Sequence, residues 1–226
     1  MYLIIFDCDG TLADSQDTIV RGLAAGYAAV GLQMPDRRTA LSIVGLSLET
    51  AFLRLVGEQN AALVPQMSEA YRATNRAHRE KGDEYDPLFP GAHDVLDILS
   101  GREDVLLGIA TGKARRGVDY LLQVHGLEGR FVTIQTADTS PSKPHPDMVL
   151  QALAETGVEA RHAVIVGDTS YDMEMGQAAG VRCLGVTWGY HERAALIEAG
   201  AEVVIDDFDQ LIAGIDTLFE TREETV

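Results

Sequence analysis

The sequence contains few cysteines, and this scarcity excludes a disulfide-stabilised fold. Cys8 and Cys183 are the only two among 226 residues, whereas small secreted scaffolds depend on several paired cysteines. The N-terminus passes from apolar residues 2–6 directly to Asp7, so it lacks the basic flank and the apolar length of a secretory signal. We therefore expect a reducing, cytoplasmic setting.

Basic residues and long apolar runs are also scarce. Lysine and arginine number 18 against 35 aspartates and glutamates, which gives a formal net charge of −17. A field of this sign repels nucleic-acid phosphates and anionic lipid headgroups. The longest charge-free segment, residues 22–35, is shorter than the run of about 18 apolar residues that crosses a bilayer. We therefore expect neither a nucleic-acid partner nor a membrane span.

What is present is a globular composition with a repeated strand-to-loop pattern. Apolar residues make up 46% of the chain and charged residues 23%, which suits one or two folded domains. The apolar segments 2–6, 105–110 and 163–166 each end in a polar loop, as strands buried in a parallel sheet do. Further strands are predicted at 132–134, 183–186 and 203–205, and helices are predicted at 117–124, 148–154 and 173–179. This alternation predicts an α/β fold with a doubly wound parallel sheet.

Residues 16–86 break the alternation, because four helix-like stretches follow one another without a convincing strand. These stretches are 17–30, 37–44, 48–56 and 61–81. An all-α block inserted after the first strand predicts a helical cap over residues 16–86 and an α/β core over residues 1–15 and 87–226. The crossings between them are expected near residues 14–16 and 83–90, and the polar tail 221–226 is expected to fray.

Two acidic pairs follow predicted strands. Asp7 and Asp9 stand two residues apart, and strand alternation would point both side chains into the crevice beyond the sheet edge. Asp168 and Asp172 follow a later strand. Four converging carboxylates would raise one another's pKa unless a cation lay among them, and oxygen ligands favour Mg²⁺. Alternatively, Asp168 or Ser170 caps the next helix with Asp172 in its first turn; the two roles are compatible.

Three further residues suit phosphate binding. Thr111 supplies a hydroxyl and Gly112 a backbone N–H at a strand-to-helix junction, where amides and the helix dipole favour an anion. Lys143 lies in a proline-rich loop, Pro-Ser-Lys-Pro-His-Pro. An isolated lysine is usually a solvated surface charge, but in a crevice with four carboxylates it would clamp a nucleophile and transferred-phosphoryl oxygens.

In this order, these segments resemble the four motifs of the haloacid dehalogenase superfamily. The segments are Asp7-Cys8-Asp9-Gly10-Thr11-Leu12-Ala13-Asp14-Ser15, Thr111, Lys143 and Gly167-Asp168 with Asp172. The resemblance covers nearly the whole chain and is to the phosphatase branch with a helical cap after the first motif, specifically to phosphoglycolate phosphatase-like enzymes. It implies a Rossmann-like sheet and a phosphatase that acts on a small phosphorylated metabolite, as a monomer or homodimer.

The resemblance also implies the roles of the acids. Asp7 would be the nucleophile that forms an aspartyl-phosphate, and Asp9 the acid and base. Mg²⁺ would be bound by the Asp7 carboxylate, the Asp9 backbone carbonyl and Asp168. Asp172 would support the metal or Lys143.

The phosphate and the leaving group would be held by other parts of the chain. The resemblance implies that Thr111, Gly112 and Lys143 hold the phosphate. Selectivity is expected from the turn at residues 44–49, which faces the catalytic crevice in such families. Its candidate substrate-binding residues are Gly45, Leu46 and Leu48.

Three other functions on the same scaffold are alternatives to phosphate-ester hydrolysis. Sugar phosphomutases of the β-phosphoglucomutase type carry a histidine in the first cap helix and an arginine in the cap turn, where this sequence has Ile19 and Leu48. Dehalogenases of the superfamily lack the second acid of the first motif, which is present here as Asp9. A third alternative is a non-catalytic binding protein on the same scaffold.

Overall fold

A single parallel sheet forms the centre of the molecule. The computed structural model describes residues 1–81 and 86–223, with side chains to residue 220. The strands are β1 (Tyr2–Phe6), β2 (Val105–Thr111), β3 (Thr133–Thr136), β4 (Ala163–Gly167), β5 (Arg182–Val186) and β6 (Val203–Ile205). Their order is β3-β2-β1-β4-β5-β6, with every neighbouring pair parallel. The predicted doubly wound α/β sheet is confirmed, and its topological switch point lies between β1 and β4, where such sheets bind ligands.

Four helices lie between β1 and the rest of the sheet. They are α1 (Gln16–Ala29), α2 (Arg37–Leu41), α3 (Leu48–Val56) and α4 (Val64–Lys81), with a 3₁₀ helix at Glu58–Leu63. We keep the name helical cap for this block; the predicted crossing at 83–90 lies partly outside the described residues. The predicted helix over 37–44 is too long, because the helix ends at Leu41 and the backbone then forms tight turns in which the Val44 N–H bonds to the Leu41 carbonyl. The last helix starts later than predicted, at Val64, where Pro65 suits the first turn.

Six more helices flank the sheet. They are α5 (Ala92–Ser100), α6 (Arg115–Val124), α7 (Asp147–Thr156), α8 (Ser170–Ala179), α9 (Arg193–Glu198) and α10 (Leu211–Glu223). None of the described helices is long and apolar enough to cross a membrane. Residues 224–226 of the predicted frayed tail lie outside the described residues.

The central strand is buried on both faces. Ile4 and Phe6 pack into the apolar core on one side of the sheet, and Leu3 and Ile5 pack into the core on the other. This burial explains why β1 reads as a continuous apolar run, since both of its faces are covered by helices. The result is a rigid strand whose carboxyl end presents Asp7.

The helical cap has a separate apolar cluster of its own. Leu23 of α1, Phe52 of α3 and Met67 of α4 are almost completely buried in it. Tyr171 of α8 belongs to the same cluster, so a core helix packs directly against the cap. This contact fixes the cap turn above the carboxyl end of the sheet.

Candidate active site

Three carboxylates meet where β1 and β4 end. Asp7 follows β1, Asp168 follows β4, and Asp172 lies in the first turn of α8. All three are completely buried, and one oxygen from each lies within 4.8 Å of the others. The parallel pairing of Phe6 with Val166 brings the two strand ends side by side. We call Asp7, Asp168 and Asp172 the acidic cluster.

The prediction that four carboxylates converge is wrong for Asp9. The strand ends at Phe6, so strand alternation does not extend to Asp9, which lies in the turn after it. Its Oδ1 accepts a hydrogen bond from Ser15 Oγ at 2.5 Å and lies 2.7 Å from Lys113 Nζ. Asp9 therefore lines the same cavity as Asp7, but its carboxylate pairs with a lysine instead of joining the acidic cluster.

Lys143 is buried among the carboxylates. Its side chain is inaccessible to solvent, and its Nζ lies 3.0 Å from Asp7 Oδ2 and 2.6 Å from Asp172 Oδ1. Burial alone would lower the pKa of Lys143, but the charges of Asp172 and Asp7 raise it above its usual value. Lys143 is therefore a permanent cation in contact with Asp7, as the sequence predicts.

The charges of this centre do not balance. The acidic cluster carries three carboxylates against the single ammonium of Lys143. Burial raises the pKa of Asp7 to about 6 despite Lys143, and burial together with Asp172 and Asp7 raises the pKa of Asp168. Among the described residues, Asp7 Oδ2 makes the ion pair with Lys143 but no well-oriented hydrogen bond. Carboxylate oxygens with a net charge of about −2 are a donor set that suits a divalent hard cation, so the residues present fit Mg²⁺.

The surroundings of Asp168 hold its carboxylate in place. Asp168 Oδ1 accepts a hydrogen bond from Thr11 Oγ1 at 2.8 Å, and Oδ2 accepts one from the Tyr190 N–H at 2.8 Å. A Cβ atom on Gly10 would lie 2.4 Å from the Asp168 side chain, and one on Gly189 would lie 2.2 Å from it. Only glycine fits at these two positions, because the backbone approaches the carboxylate so closely.

Asp172 has a different set of contacts. Its Oδ2 accepts hydrogen bonds from the Thr169 N–H at 3.1 Å and from Thr169 Oγ1 at 2.6 Å, while its Oδ1 faces Lys143. The residue that caps α8 is therefore Thr169, and the alternative of a cap at Asp168 or Ser170 is wrong. Since both oxygens of Asp172 already have donors, its contacts favour orienting Lys143.

The phosphate-binding candidates lie beside the nucleophile candidate. Thr111 is the last residue of β2, is 1% exposed and lies next to Asp7. A Cβ atom on Gly112 would come within 2.6 Å of the carbonyl oxygens of Gly45 and Leu46. The cap turn therefore rests directly on the loop after β2, which requires a residue without a side chain at position 112.

A cavity of about 370 Å³ separates the acidic cluster from the cap. Seven of the predicted site residues line it together: Asp7, Asp9, Thr111, Gly112, Gly45, Leu46 and Leu48. Lys143, Asp168 and Asp172 do not line it and lie buried behind Asp7. The two positions that would distinguish a mutase, Ile19 and Leu48, line the same cavity and are apolar. The cap turn therefore faces the crevice, as the resemblance implies.

Sequence reasoning missed the cationic wall of the cavity. Lys113 pairs with Asp9, and the cavity is also lined by arginines of α1, α4 and α6. The position of Lys113 directly after Thr111-Gly112 was an available signal. No such signal exists for the arginines, because they line one cavity only when the cap helices and α6 are placed around it in the folded chain.

Comparison with known sequences identifies similar proteins along most of the chain. The profile of the haloacid dehalogenase-like hydrolases matches residues 4–186. A protein named probable phosphatase IndB from Dickeya dadantii is 33% identical over 99% of this chain and 97% of its own length. The pyrophosphatase PpaX of Bacillus pumilus is 31% identical over 93% of this chain and 94% of its own. A phosphoglycolate phosphatase of Yersinia pestis is 30% identical over 94% and 92%, respectively.

A solved structure has the same fold over nearly its whole length. It is a hydrolase of the haloacid dehalogenase-like family from Streptococcus pneumoniae, with a TM-score of 0.80 and 26% sequence identity. The match covers 94% of this chain and 97% of that chain. The similarity therefore includes both the sheet and the cap helices.

Proposed function

The chain belongs to the haloacid dehalogenase-like hydrolase family, and we propose that it is a Mg²⁺-dependent enzyme that hydrolyses small phosphate monoesters through an aspartyl-phosphate. Relatives named as phosphatases over more than nine-tenths of the chain make it a phosphatase. The division of labour that we propose assigns the chemistry to the core, residues 1–15 and 87–226, and the choice of leaving group to the cap, residues 16–86.

One observation carries the proposal. Asp7 is a fully buried carboxylate at the end of the central strand, in contact with a buried lysine, and it lines the cavity. Within the described part of the chain, one of its oxygens, Oδ2, makes the ion pair with Lys143 but no well-oriented hydrogen bond. A carboxylate so placed is a nucleophile with a free lone pair, and the Lys143 ammonium favours its ionised form.

Mg²⁺ would be held by a small set of oxygens. These are the carboxylates of Asp7 and Asp168 and the backbone carbonyl of Asp9, with Asp172 supporting Lys143. When bound, the ion would offset the negative charge of the phosphoryl oxygens.

The first step forms the covalent intermediate. An oxygen of the Asp7 carboxylate attacks phosphorus, the bond from phosphorus to the leaving oxygen breaks, and Asp9 gives its proton to that oxygen. Lys143, the Thr111 hydroxyl and the Gly112 N–H hold the phosphoryl oxygens during this transfer. Phosphate-monoester hydrolysis is among the slowest uncatalysed reactions, and division into two transfers lowers its barrier.

The second step releases phosphate. Asp9, now ionised, takes a proton from a water molecule whose oxygen attacks phosphorus, and the bond between phosphorus and Asp7 breaks. Ser15 and Lys113 keep the Asp9 carboxylate oriented through their contacts with Oδ1. Both carboxylates return to their starting states, so the cycle balances.

Two features favour hydrolysis over phosphoryl transfer between sugar positions. The cavity positions Ile19 and Leu48 offer no acid, base or cation. The relatives named above are a phosphatase, a pyrophosphatase and a phosphoglycolate phosphatase, which supports small phosphorylated substrates of the phosphoglycolate type.

The test is a search for the phosphoenzyme. Wild-type protein is mixed with a chromogenic phosphate ester and Mg²⁺, and intact-protein mass spectrometry follows the added phosphoryl group while absorbance follows turnover. We expect Asp7→Asn to lose both signals and to fold normally. Asp94→Asn, at an exposed position of α5, is the matched control and should keep both signals. A phosphoryl adduct on Asp7→Asn would refute the assignment of the nucleophile.

A further inference from the structure

Five cationic side chains of the described residues line the cavity beside its carboxylates, although the chain as a whole carries a net charge of −17. The cationic residues that line the cavity are Arg21, Arg72, Arg79, Lys113 and Arg116. In so acidic a chain, several cations around one cavity are an unusual concentration of positive charge. A cavity with this lining attracts and retains anions.

Two of these cations are neutralised by carboxylates of the same wall. Arg72 pairs with Glu49, and Lys113 Nζ lies 2.7 Å from Asp9 Oδ1 and 3.6 Å from Asp86 Oδ2. Glu49, Asp9 and Asp86 are therefore already engaged with these two cations, and a further lining carboxylate, Asp138, accepts a hydrogen bond from the Arg115 N–H.

Arg79 and Arg116 differ from that pattern. Neither forms an ion pair within residues 1–81 and 86–223, the part of the chain that the structure describes. Burial and the charge of Arg116 lower the pKa of Arg79, so the two guanidinium groups are near enough to repel each other. The Arg79 guanidinium lies over the Tyr120 ring, 5.8 Å from its centroid. Because α4 carries one arginine and α6 the other, an anion between them would relieve the repulsion.

Asn75 provides an independent sign of a ligand. Its side chain is 5% exposed and lines the cavity, and its Oδ1 has no hydrogen-bond donor. A buried carbonyl oxygen without a donor is unfavourable, and a donor on a bound ligand would remove that cost. Tyr71, Asn75 and Arg79 follow one another at four-residue spacing on α4, so they share one face over about 12 Å.

We propose that the substrate is a phosphate monoester whose leaving group reaches well beyond two carbons and ends in a second anionic group, a phosphate or a carboxylate, held between Arg79 and Arg116. A hydroxyl or N–H group of the same leaving group donates to Asn75 Oδ1. The size of the cavity agrees, because about 370 Å³ falls within the range of about 300–1,000 Å³ typical of pockets for larger ligands. This inference rests on the proposed phosphatase function and specifies its substrate class.

The experiment compares esters that differ only at the far end. Butyl phosphate, phosphooxybutanoate and butanediol bisphosphate all carry a phosphate ester on a four-carbon chain and end in a methyl group, a carboxylate and a second phosphate, respectively. The kcat/KM of the symmetrical bisphosphate is divided by two, because either of its esters can react. We expect kcat/KM for the better anionic ester to exceed that for butyl phosphate by at least about tenfold, which corresponds to about 1.4 kcal/mol. The preferred terminus distinguishes a carboxylate from a phosphate as the second group.

Variants then locate the effect. Arg79→Gln and Arg116→Gln should each reduce the ratio of kcat/KM between anionic and uncharged esters several-fold, mainly through KM for the anionic ester. Arg115→Gln is the matched control, since Arg115 is exposed, pairs with Asp119 and is absent from the cavity wall. It changes the net charge equally and should keep the wild-type ratio.

The outcomes separate this inference from the function on which it rests. If no ester is hydrolysed, the proposed phosphatase function itself fails. If all esters are hydrolysed at similar kcat/KM, or if Arg115→Gln lowers the ratio as much as Arg79→Gln does, the second-anion site is refuted while the phosphatase function stands. A hydroxylated bisphosphate that is no better than butanediol bisphosphate would refute the role of Asn75.

Discussion

The buried centre of the core and the cationic wall of the cavity differ in how exposed their charged side chains are. Asp7, Asp168, Asp172 and Lys143 are at most 1% exposed. The three acids lie directly after strands or in the first turn of α8, and Lys143 lies in the loop before α7. The cationic side chains of the cavity wall are half-buried or exposed, and all of them except Lys113 project from helices. Rigid, desolvated charges suit one fixed reaction, while adjustable side chains suit the recognition of a leaving group.

Polar contacts join the cap to the core beside the apolar packing of Tyr171. Ser142 Oγ accepts a hydrogen bond from the Ser47 N–H at 2.8 Å, and the Ser42 carbonyl accepts one from the Tyr171 hydroxyl at 3.2 Å. Changes in the cap should therefore alter substrate choice without disturbing the chemical centre. Changes in the centre should affect every substrate alike.

Removal of the metal should have the largest effect. Chelation with EDTA should abolish turnover of all esters, and Mg²⁺ should restore it, because the acidic cluster then regains its balancing charge. Ca²⁺ should inhibit, since its larger and looser coordination shell disturbs in-line geometry. Full activity in a chelated sample would contradict the roles of Asp7 and Asp168.

The same metal should stabilise the fold in a pH-dependent way. Asp7, with a pKa raised to about 6 in the metal-free protein, binds a proton in the folded state below that pH. The metal-free fold therefore gains stability from this group as the pH falls through about 6, and protons compete with Mg²⁺. The rise in Tm caused by Mg²⁺ should be smaller at about pH 5 than at about pH 7.5. An equal rise at both values would contradict a site made of these carboxylates.

Loss of the proton carrier should slow turnover without abolishing metal binding. Asp9→Asn keeps the backbone carbonyl and the size of the side chain but cannot transfer a proton, so kcat should fall by about 10²–10⁴. With an ester whose leaving group needs no protonation, the first step should recover more than the second, and phosphoaspartate at Asp7 should accumulate. Mass spectrometry would detect that adduct. Undiminished activity would mean that Asp9 is not the acid and base.

The two regions also differ in how well the sequence predicts them. The acidic cluster was predictable because parallel strands end at one edge of a sheet, so residues after β1 and β4 meet there. The direction of the Asp9 side chain was predicted wrongly, because Asp9 lies in the turn after β1, where side chains no longer alternate between the two faces of the sheet. The presence of Arg79 and Arg116 in one cavity wall was not predictable, since they are 37 positions apart and line the same cavity only in the folded chain.

The two leucines of the cap turn should respond differently, although both line the cavity. Leu46 is 7% exposed and belongs to the apolar cluster of the cap, so Leu46→Ala should cost about 2–5 kcal/mol of unfolding free energy. Leu48 is only partly buried, and Leu48→Ala should change the ranking of substrates by kcat/KM several-fold with a smaller loss of stability. Urea unfolding and an ester panel measure both. An equal loss of activity toward every ester in Leu48→Ala would assign Leu48 a packing role.

The smallest expected effect concerns the joint between the cap and the core. His191 Nδ1 accepts a hydrogen bond from the Ser170 N–H at 3.0 Å, which leaves Nε2 to donate to the Ser42 carbonyl at 3.4 Å. Burial lowers the pKa of His191 below its usual value. The unfolded chain therefore takes up the proton first as the pH falls below about 6.5, and the stability that His191 contributes is lost in that window.

Two variants isolate this contribution from the other titrating groups. His191→Phe keeps a ring against Tyr171, whose centroid lies 5.3 Å away, and removes the titrating nitrogen, so its unfolding free energy should fall less than that of the wild type between about pH 7 and about pH 5. Tyr171→Phe removes the other hydrogen bond to the Ser42 carbonyl and should lower stability by about 0.5–1.5 kcal/mol at every pH in that range. Urea unfolding at a series of pH values gives both curves. If His191→Phe loses stability toward acid as steeply as the wild type, His191 does not titrate in the joint, and the contact between cap and core is insensitive to pH.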